Sequence, residues 1–188
     1  MSTDPSEMQK ASATAQQWLT TERLRAGCWS PELAESAFTI YGDPVAMRFM
    51  RPNYPVSDVA AMRDRLGEII ARNEQYQGRM GSWPLFLRET DEMVGAILLK
   101  PLPGSEQIEV GWHLGRAHWG NGYATEAGLA ALDYGYTCLG LSTIYAVVDP
   151  GNTPSMAVCR RIGLKHLGRT EQFYERSLEY FSKAATAD

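Results

Sequence analysis

"HWGNGYATEAGLAALDYGY", residues 118–136, is the stretch on which the reading of this chain turns. Two glycines with an asparagine between them stand directly before a long alanine-rich run. Glycine inside a helix costs about 1 kcal/mol relative to alanine, so Gly120 and Gly122 belong to the turn that enters the helix. Such a turn either adopts positive φ or lets a ligand approach its backbone closely. The first turn of the helix also carries unpaired N–H groups and the positive end of the dipole, which together suit a phosphate.

Three phosphate-binding turns compete for this stretch. A P-loop needs a lysine and a serine or threonine directly after its glycines, and none follows here. A Rossmann turn needs G-x-G-x-x-G in a βαβ unit, whereas "GNGYAT" has Thr125 in the third place and antiparallel strands around it. The third is the pyrophosphate loop of an acetyl-CoA-dependent acyltransferase.

Outward from the turn, "QIEVGWHLG" (107–115) alternates polar and apolar residues as a strand does, and so does "TERLRAGCW" (21–29). "WPLFLRE" and "MVGAILLK" form an antiparallel hairpin through "TDE". "SDVAAMRDRLGEIIARNEQYQ" carries Val59, Met62, Leu66, Ile69 and Ile70 at helical spacing, with Ser57 as its cap. Pro31 opens an earlier helix behind a Ser30 cap, and "YGDPVAMRFMRPNYP" interrupts it with proline turns. The helix over about 122–138 has a stripe of Ala124, Ala127, Ala131, Tyr134 and Cys138. "STIYAVV" is a strand; Asn152 caps the short helix "TPSMAVCRRI", which ends at Gly163; "LKHLGRTE" and "RSLEYFS" are the last two strands. The expected order is β-α-α-β-β-β-α-β-α-β-β, a mixed α/β (α+β) fold. Residues 1–19 read as an arm with a short helix from about Glu7 to Trp18, 20–182 as a single domain and 183–188 as a tail.

The 188 residues are 44% hydrophobic and 21% charged, as in an ordinary globular domain, and the net charge of −4 disfavours nucleic acid as a partner. No apolar run reaches membrane-spanning length, and the N-terminus has no signal-peptide pattern. Cys28, Cys138 and Cys159 are scattered and unaccompanied by clustered histidines. They read as free thiols of a cytoplasmic protein with no disulfide framework and no metal site.

"WGNGYATEA" between strand and helix, with "NTPSMAVCRRIGL" after the next strand, resembles the GNAT acetyltransferases, in particular the RimJ/RimL-like branch. "TERLR" is similar to that branch's first strand, and the likeness runs from about residue 20 to 182. It implies the GNAT fold, with a mostly antiparallel sheet of about seven strands flanked by helices, and acetyl-CoA as co-substrate. The family's Q/R-x-x-G-x-G/A loop falls on Trp119, Gly120, Asn121, Gly122, Tyr123 and Ala124, with Thr125 following. Tryptophan replaces the usual Gln or Arg, which removes a side-chain phosphate contact but keeps the backbone donors. The resemblance also implies pantetheine contacts from the backbone of Trp112, His113 and Leu114, with Asn152 and Ser155 on the other side of the cofactor.

Moving an acetyl group from a thioester to an amine requires removal of the ammonium proton, polarisation of the carbonyl and a donor for the departing thiolate. The resemblance places Glu109 at the base position and Ser155 beside the sulfur. The alternatives are a solvent-facing strand carboxylate and a first-turn serine that satisfies a helix end. Where other members carry a tyrosine acid this chain has Cys159, on the same helix and able to face the same cleft. His113 shares a strand face with Glu109 and is either a relay or a packed histidine; His118 and His166 read as surface residues. Arg160 and Arg161 either reach a cofactor phosphate or complement the helix dipole. Trp29, Phe49, Tyr54, Trp83, Phe173 and Tyr174 fall near the acceptor cleft. The expectation is an N-acetyltransferase acting on a small-molecule amine or a protein N-terminus, with a homodimer left open by the likeness. A catalytically silent acyl-CoA-binding module and a nucleotide-dependent oxidoreductase are its rivals.

Overall fold

A computed structural model describes residues 19–50 and 55–185. The expected arm up to Trp18 with its helix, Tyr54 and the last three residues therefore lie outside the described residues, while Leu19, counted with the arm, is fully buried in the core. The elements are β1 (Leu24–Ala26), α1 (Ala34–Tyr41, entered by a 3-10 turn at Pro31–Leu33), α2 (Val59–Gln75), β2 (Gly81–Leu87), β3 (Met93–Pro101) and β4 (Ile108–Leu114). They continue with α3 (Tyr123–Thr137), β5 (Thr143–Val148), α4 (Thr153–Arg161), β6 (Lys165–Thr170) and β7 (Leu178–Ala184). This is the order expected from the sequence.

The seven strands form one sheet in the order β1-β2-β3-β4-β5-β7-β6. Every neighbouring pair is antiparallel except β4 with β5, which run parallel and register at a single position, Glu109 opposite Tyr145. Beyond Glu109 the two strands separate. The sheet is thus split down its middle, and the split opens toward the C-terminal end of β4.

One buried cluster packs α3 and α4 on one face of the sheet, with Leu85, Ile97, Leu99, Ile144 and Phe181 fully enclosed. A second packs α1 and α2 on the other, around Tyr41, Met47, Met62 and Leu66. β3 is apolar from Met93 to Leu99 because both of its faces are covered there; each such enclosed aliphatic side chain contributes about 1.5–3 kcal/mol. In α3 the buried positions are Leu132 and the small residues Ala124, Ala127, Gly128, Ala131 and Gly135, which let the helix lie close to β4. Cys138, expected to continue that stripe, is exposed.

Two caps differ from the sequence reading. α2 is capped by Asp58, whose carboxylate accepts the Ala61 N–H at 2.8 Å, while Ser57 only donates to Asp58. Ser30 is extended but makes no side-chain cap bond. β1 is also short: Gly27 and the residues after it leave the sheet before Trp29, which turns into the second cluster. Asn152 caps α4 through the Ser155 N–H at 3.3 Å, as expected. Gly163 then ends that helix with φ 86°, while Leu164 N–H bonds Cys159 O at 2.9 Å and Gly163 N–H bonds Arg160 O at 3.0 Å.

Candidate active site

Gly120 and Gly122 both take left-handed backbone, with φ of 80° and 81°. Gly122 is the N-cap of α3, and no side chain caps that helix. The N–H groups of Tyr123, Ala124 and Thr125, in the first turn, therefore have no intrahelical acceptor. A Cβ on Gly120 would meet nothing within 4 Å, and one on Gly122 only an Arg23 nitrogen at 3.5 Å. The chain leaves the space over the turn open, and the donors and dipole there suit a pyrophosphate.

The turn is braced from three sides. The Trp119 indole N–H donates to Leu114 O at 3.0 Å, so the residue that departs from the family pattern ties the loop to the end of β4. The Asn121 side chain folds back to His118 O and Trp119 O instead of facing the ligand space. Arg23 donates to Asn121 O at 2.9 Å and pairs with Glu126 in the first turn of α3.

Below the turn lies a cavity of about 1150 Å³, bounded by Trp112–Leu114, Trp119, Gly120, Gly122–Glu126 and, across the split, Asn152, Ser155 and Arg161. Val45–Met50 close it from the α1 side. Because β5 has diverged, Gly111–Leu114 have no strand partner on the cleft side, so backbone groups there are available to a bound chain. Arg161 borders this space and Arg160 does not.

A second cavity, of about 380 Å³, lies beneath the split and is lined by α2, β4 and the loop before β7. The two cavities share Phe49, Met50, Trp112, His113, Asn152 and Ser155. Ser155 thus sits at their junction, and its hydroxyl makes no hydrogen bond to a described residue. Cys159 is fully buried in the first cluster and lines neither cavity; burial pushes its thiol up to about 12. The expectation that both residues face the cleft fails for Cys159. The two lie one turn apart on one side of α4, but Ser155 in its first turn borders the split, whereas Cys159 in its last turn is enclosed in the core.

Glu109 is not a solvent-facing carboxylate, being 7% exposed. Its Oε1 accepts from Lys100 Nζ at 2.7 Å and from the Tyr174 hydroxyl, and Lys100 also reaches that hydroxyl at 2.7 Å. Oε2 has no partner among the described residues. Burial, then the Glu109 charge, raises the Tyr174 phenol, which stays protonated and donates. His113 is packed edge-on against Tyr41, whose hydroxyl bonds Nδ1 at 3.2 Å. Burial, then the Lys100 ammonium, lowers this imidazole to about 4, so it is neutral at pH 7.

Of the candidate aromatics, Trp29, Trp83 and Phe173 are core, Phe49 borders both cavities and Tyr174 borders the smaller. His118 is half-buried and reaches Glu92 at 3.4 Å; His166 is exposed and bonds Glu179 at 2.6 Å. Lys100, Tyr41 and, apart from Phe49, the 45–50 segment are not picked out as site residues by the sequence reading. Lys100 was within reach, since the β3–β4 hairpin sets it directly opposite Glu109. Tyr174 was noted as an aromatic, but nothing local to its sequence announces its bond to a strand 65 residues away.

The model of the acetyltransferase (GNAT) domain matches residues 23–165. The chain is 32% identical over 151 residues to the uncharacterised N-acetyltransferase p20 of Bacillus licheniformis, covering 80% of this chain and 83% of that one. An acetyltransferase structure from Agrobacterium tumefaciens shares 26% identity and a TM-score of 0.74, over 89% of this chain and 94% of that one. A RimL ribosomal L7/L12 alpha-N-protein acetyltransferase solved with coenzyme A shares the fold, with a TM-score of 0.74 at 15% identity over 90% and 98% of the two chains. With a family model matching three quarters of its length and a relative 32% identical over most of both chains, the chain belongs to the GNAT family of acetyltransferases.

Proposed function

We propose that the protein carries acetyl from acetyl-CoA straight to a primary amine, a small molecule or a protein N-terminus, within a ternary complex. The thioester enters by the larger cavity and the amine by the smaller. Glu109 takes the ammonium proton through Oε2, directly or by way of water. The amine nitrogen then forms its bond to the acyl carbon as the carbon–sulfur bond breaks, Ser155 donates a hydrogen bond to the departing thiolate, and the second proton shed by the nitrogen leaves with the sulfur as coenzyme A thiol. His113, neutral and held by Tyr41, serves as a wall rather than as a relay.

The observation that carries this reading is the junction of the two cavities at Ser155, with the free oxygen of Glu109 bordering the acceptor side. A nucleophile and a thioester can meet there without either crossing the core. Membership of the RimJ/RimL-like branch belongs to the same reading and rests on the "WGNGYATEA" turn and the "TERLR" opening. A cytoplasmic setting accords with Cys28, Cys138 and Cys159 forming no disulfide among the described residues. Among the described residues no helix is long and apolar enough to cross a membrane.

The test is time-dependent release of coenzyme A thiol from acetyl-CoA in the presence of a panel of amines and short peptides. Amine-dependent release supports transfer. Binding of acetyl-CoA with no release across the panel would instead favour the silent binding module.

A further inference from the structure

The charges that line the smaller cavity do not cancel. Three carboxylates border it, and each has its own cation: Glu109 with Lys100 at 2.7 Å, Glu68 with Arg65 at 2.9 Å, and Asp149 with Arg176. A fourth cation, Arg72 in the last turn of α2, also lines the cavity, and no described carboxylate pairs with it. Its charge reaches inward far enough to act on the Tyr174 hydroxyl beside Glu109. Tyr174 is fixed over the same space, since it and Glu175 take left-handed backbone, with φ of 58° and 52°, although neither is glycine. Arg176 anchors that turn through Phe49 O at 3.0 Å and Asp149. Non-glycine residues in this region are strained, and such strain collects at ligand sites.

Resting on the transfer reading above, we propose that the acceptor is a small amine bearing an anionic group, a carboxylate or a phosphate, which Arg72 reads at the α2 rim. The amine end lies against Glu109, whose Oε2 has no partner among the described residues and accepts from an ammonium, and the anionic end lies toward the surplus arginine. A guanidinium suits either anion because its N–H groups form a planar fork. A cavity of about 380 Å³ accommodates a small molecule of this kind.

The experiment compares matched acceptors by initial rate of coenzyme A release: β-alanine against β-alaninamide, and phosphoethanolamine against ethanolamine, with a neutral tripeptide amide as a fifth acceptor. In the wild-type enzyme the anionic member of at least one pair is expected to exceed its neutral partner about 10-fold in kcat/KM, and the pair that responds identifies the anion. Arg72→Gln, an exposed helix position, is expected to bring that ratio back about 10-fold, with the KM of the anionic substrate rising more than kcat falls. Equal or greater activity on the neutral partners, or an unchanged ratio in Arg72→Gln, overturns the proposal. Activity confined to the tripeptide amide overturns it while leaving transfer to an amine intact. No release with any of the five removes the transfer reading itself, and this proposal with it.

Discussion

Arg23 and Glu126, 103 positions apart, are bound by two charge-assisted contacts, Nε to Oε2 at 2.7 Å and an η nitrogen to Oε2 at 2.6 Å. The Arg23 backbone N–H and the Thr21 hydroxyl take the other carboxylate oxygen. One side chain thus ties the segment before β1 to the first turn of α3, beside the glycine turn. Burial raises the Glu126 carboxyl, but the Thr21 and Arg23 bonds outweigh it and hold it below the usual value.

Glu126→Ala should therefore lower stability at pH 7 by about 1–2 kcal/mol, since several donors lose a charged acceptor at a partly exposed site. A depressed carboxylate gives its stability above the unfolded pKa and loses it as pH falls through the folded value. The difference between wild type and variant should shrink below about pH 4. Urea midpoints at pH 7 and in acid check both points; equal midpoints at pH 7 would sink the clamp.

Gly122→Val should abolish the rise in melting temperature that acetyl-CoA produces in the wild-type protein, while the fold survives. The φ of 81° is costly for a branched residue, and its side chain would stand in the ligand's space. Thermal shift with and without acetyl-CoA is the measurement. A wild-type response in the variant would remove the anion cradle.

Glu109→Gln should lower kcat/KM by roughly 10²–10⁴-fold at neutral pH, the usual worth of a general base. Because Lys100 loses its counter-ion, the melting temperature must be read alongside, and acetyl-CoA affinity should change little. A loss below about threefold in a folded variant would pass proton removal to water.

Ser155→Ala should cost about 10-fold or more in kcat, because a donor to thiolate acts mainly in the transition state. Cys159→Ala should stay within about threefold in kcat and instead lose stability, since it empties space in the core. If the cysteine variant were the slow one and the serine variant silent, the leaving-group assignment would fall.

His113, lowered to about 4, binds no proton in the folded state between pH 6.5 and 4, whereas the unfolded chain does. Folding stability should therefore fall as pH drops through that window, and His113→Gln should flatten the slope. Denaturation midpoints from pH 7 to 4 give the answer; an unchanged slope would mean that the imidazole is not desolvated.

The element order, the glycine turn and the Asn152 cap were legible because each rests on contacts a few residues long. Helical spacing, strand alternation and the φ demand of Gly122 are local properties, so the chain states them directly. The Lys100–Glu109 pair was within reach for the same reason, as a hairpin register counts it out. What lay beyond the sequence is what distant segments do to one another. Tyr174 reaches Glu109, Arg23 closes on Glu126, and Cys159 turns to the core while Ser155, four residues earlier on the same helix, faces the cleft. Period and propensity say which residues share a face. Only the packing of α4 against a sheet split between β4 and β5 decided which end of that shared face borders a cavity and which end is enclosed, because burial is a property of the assembled fold.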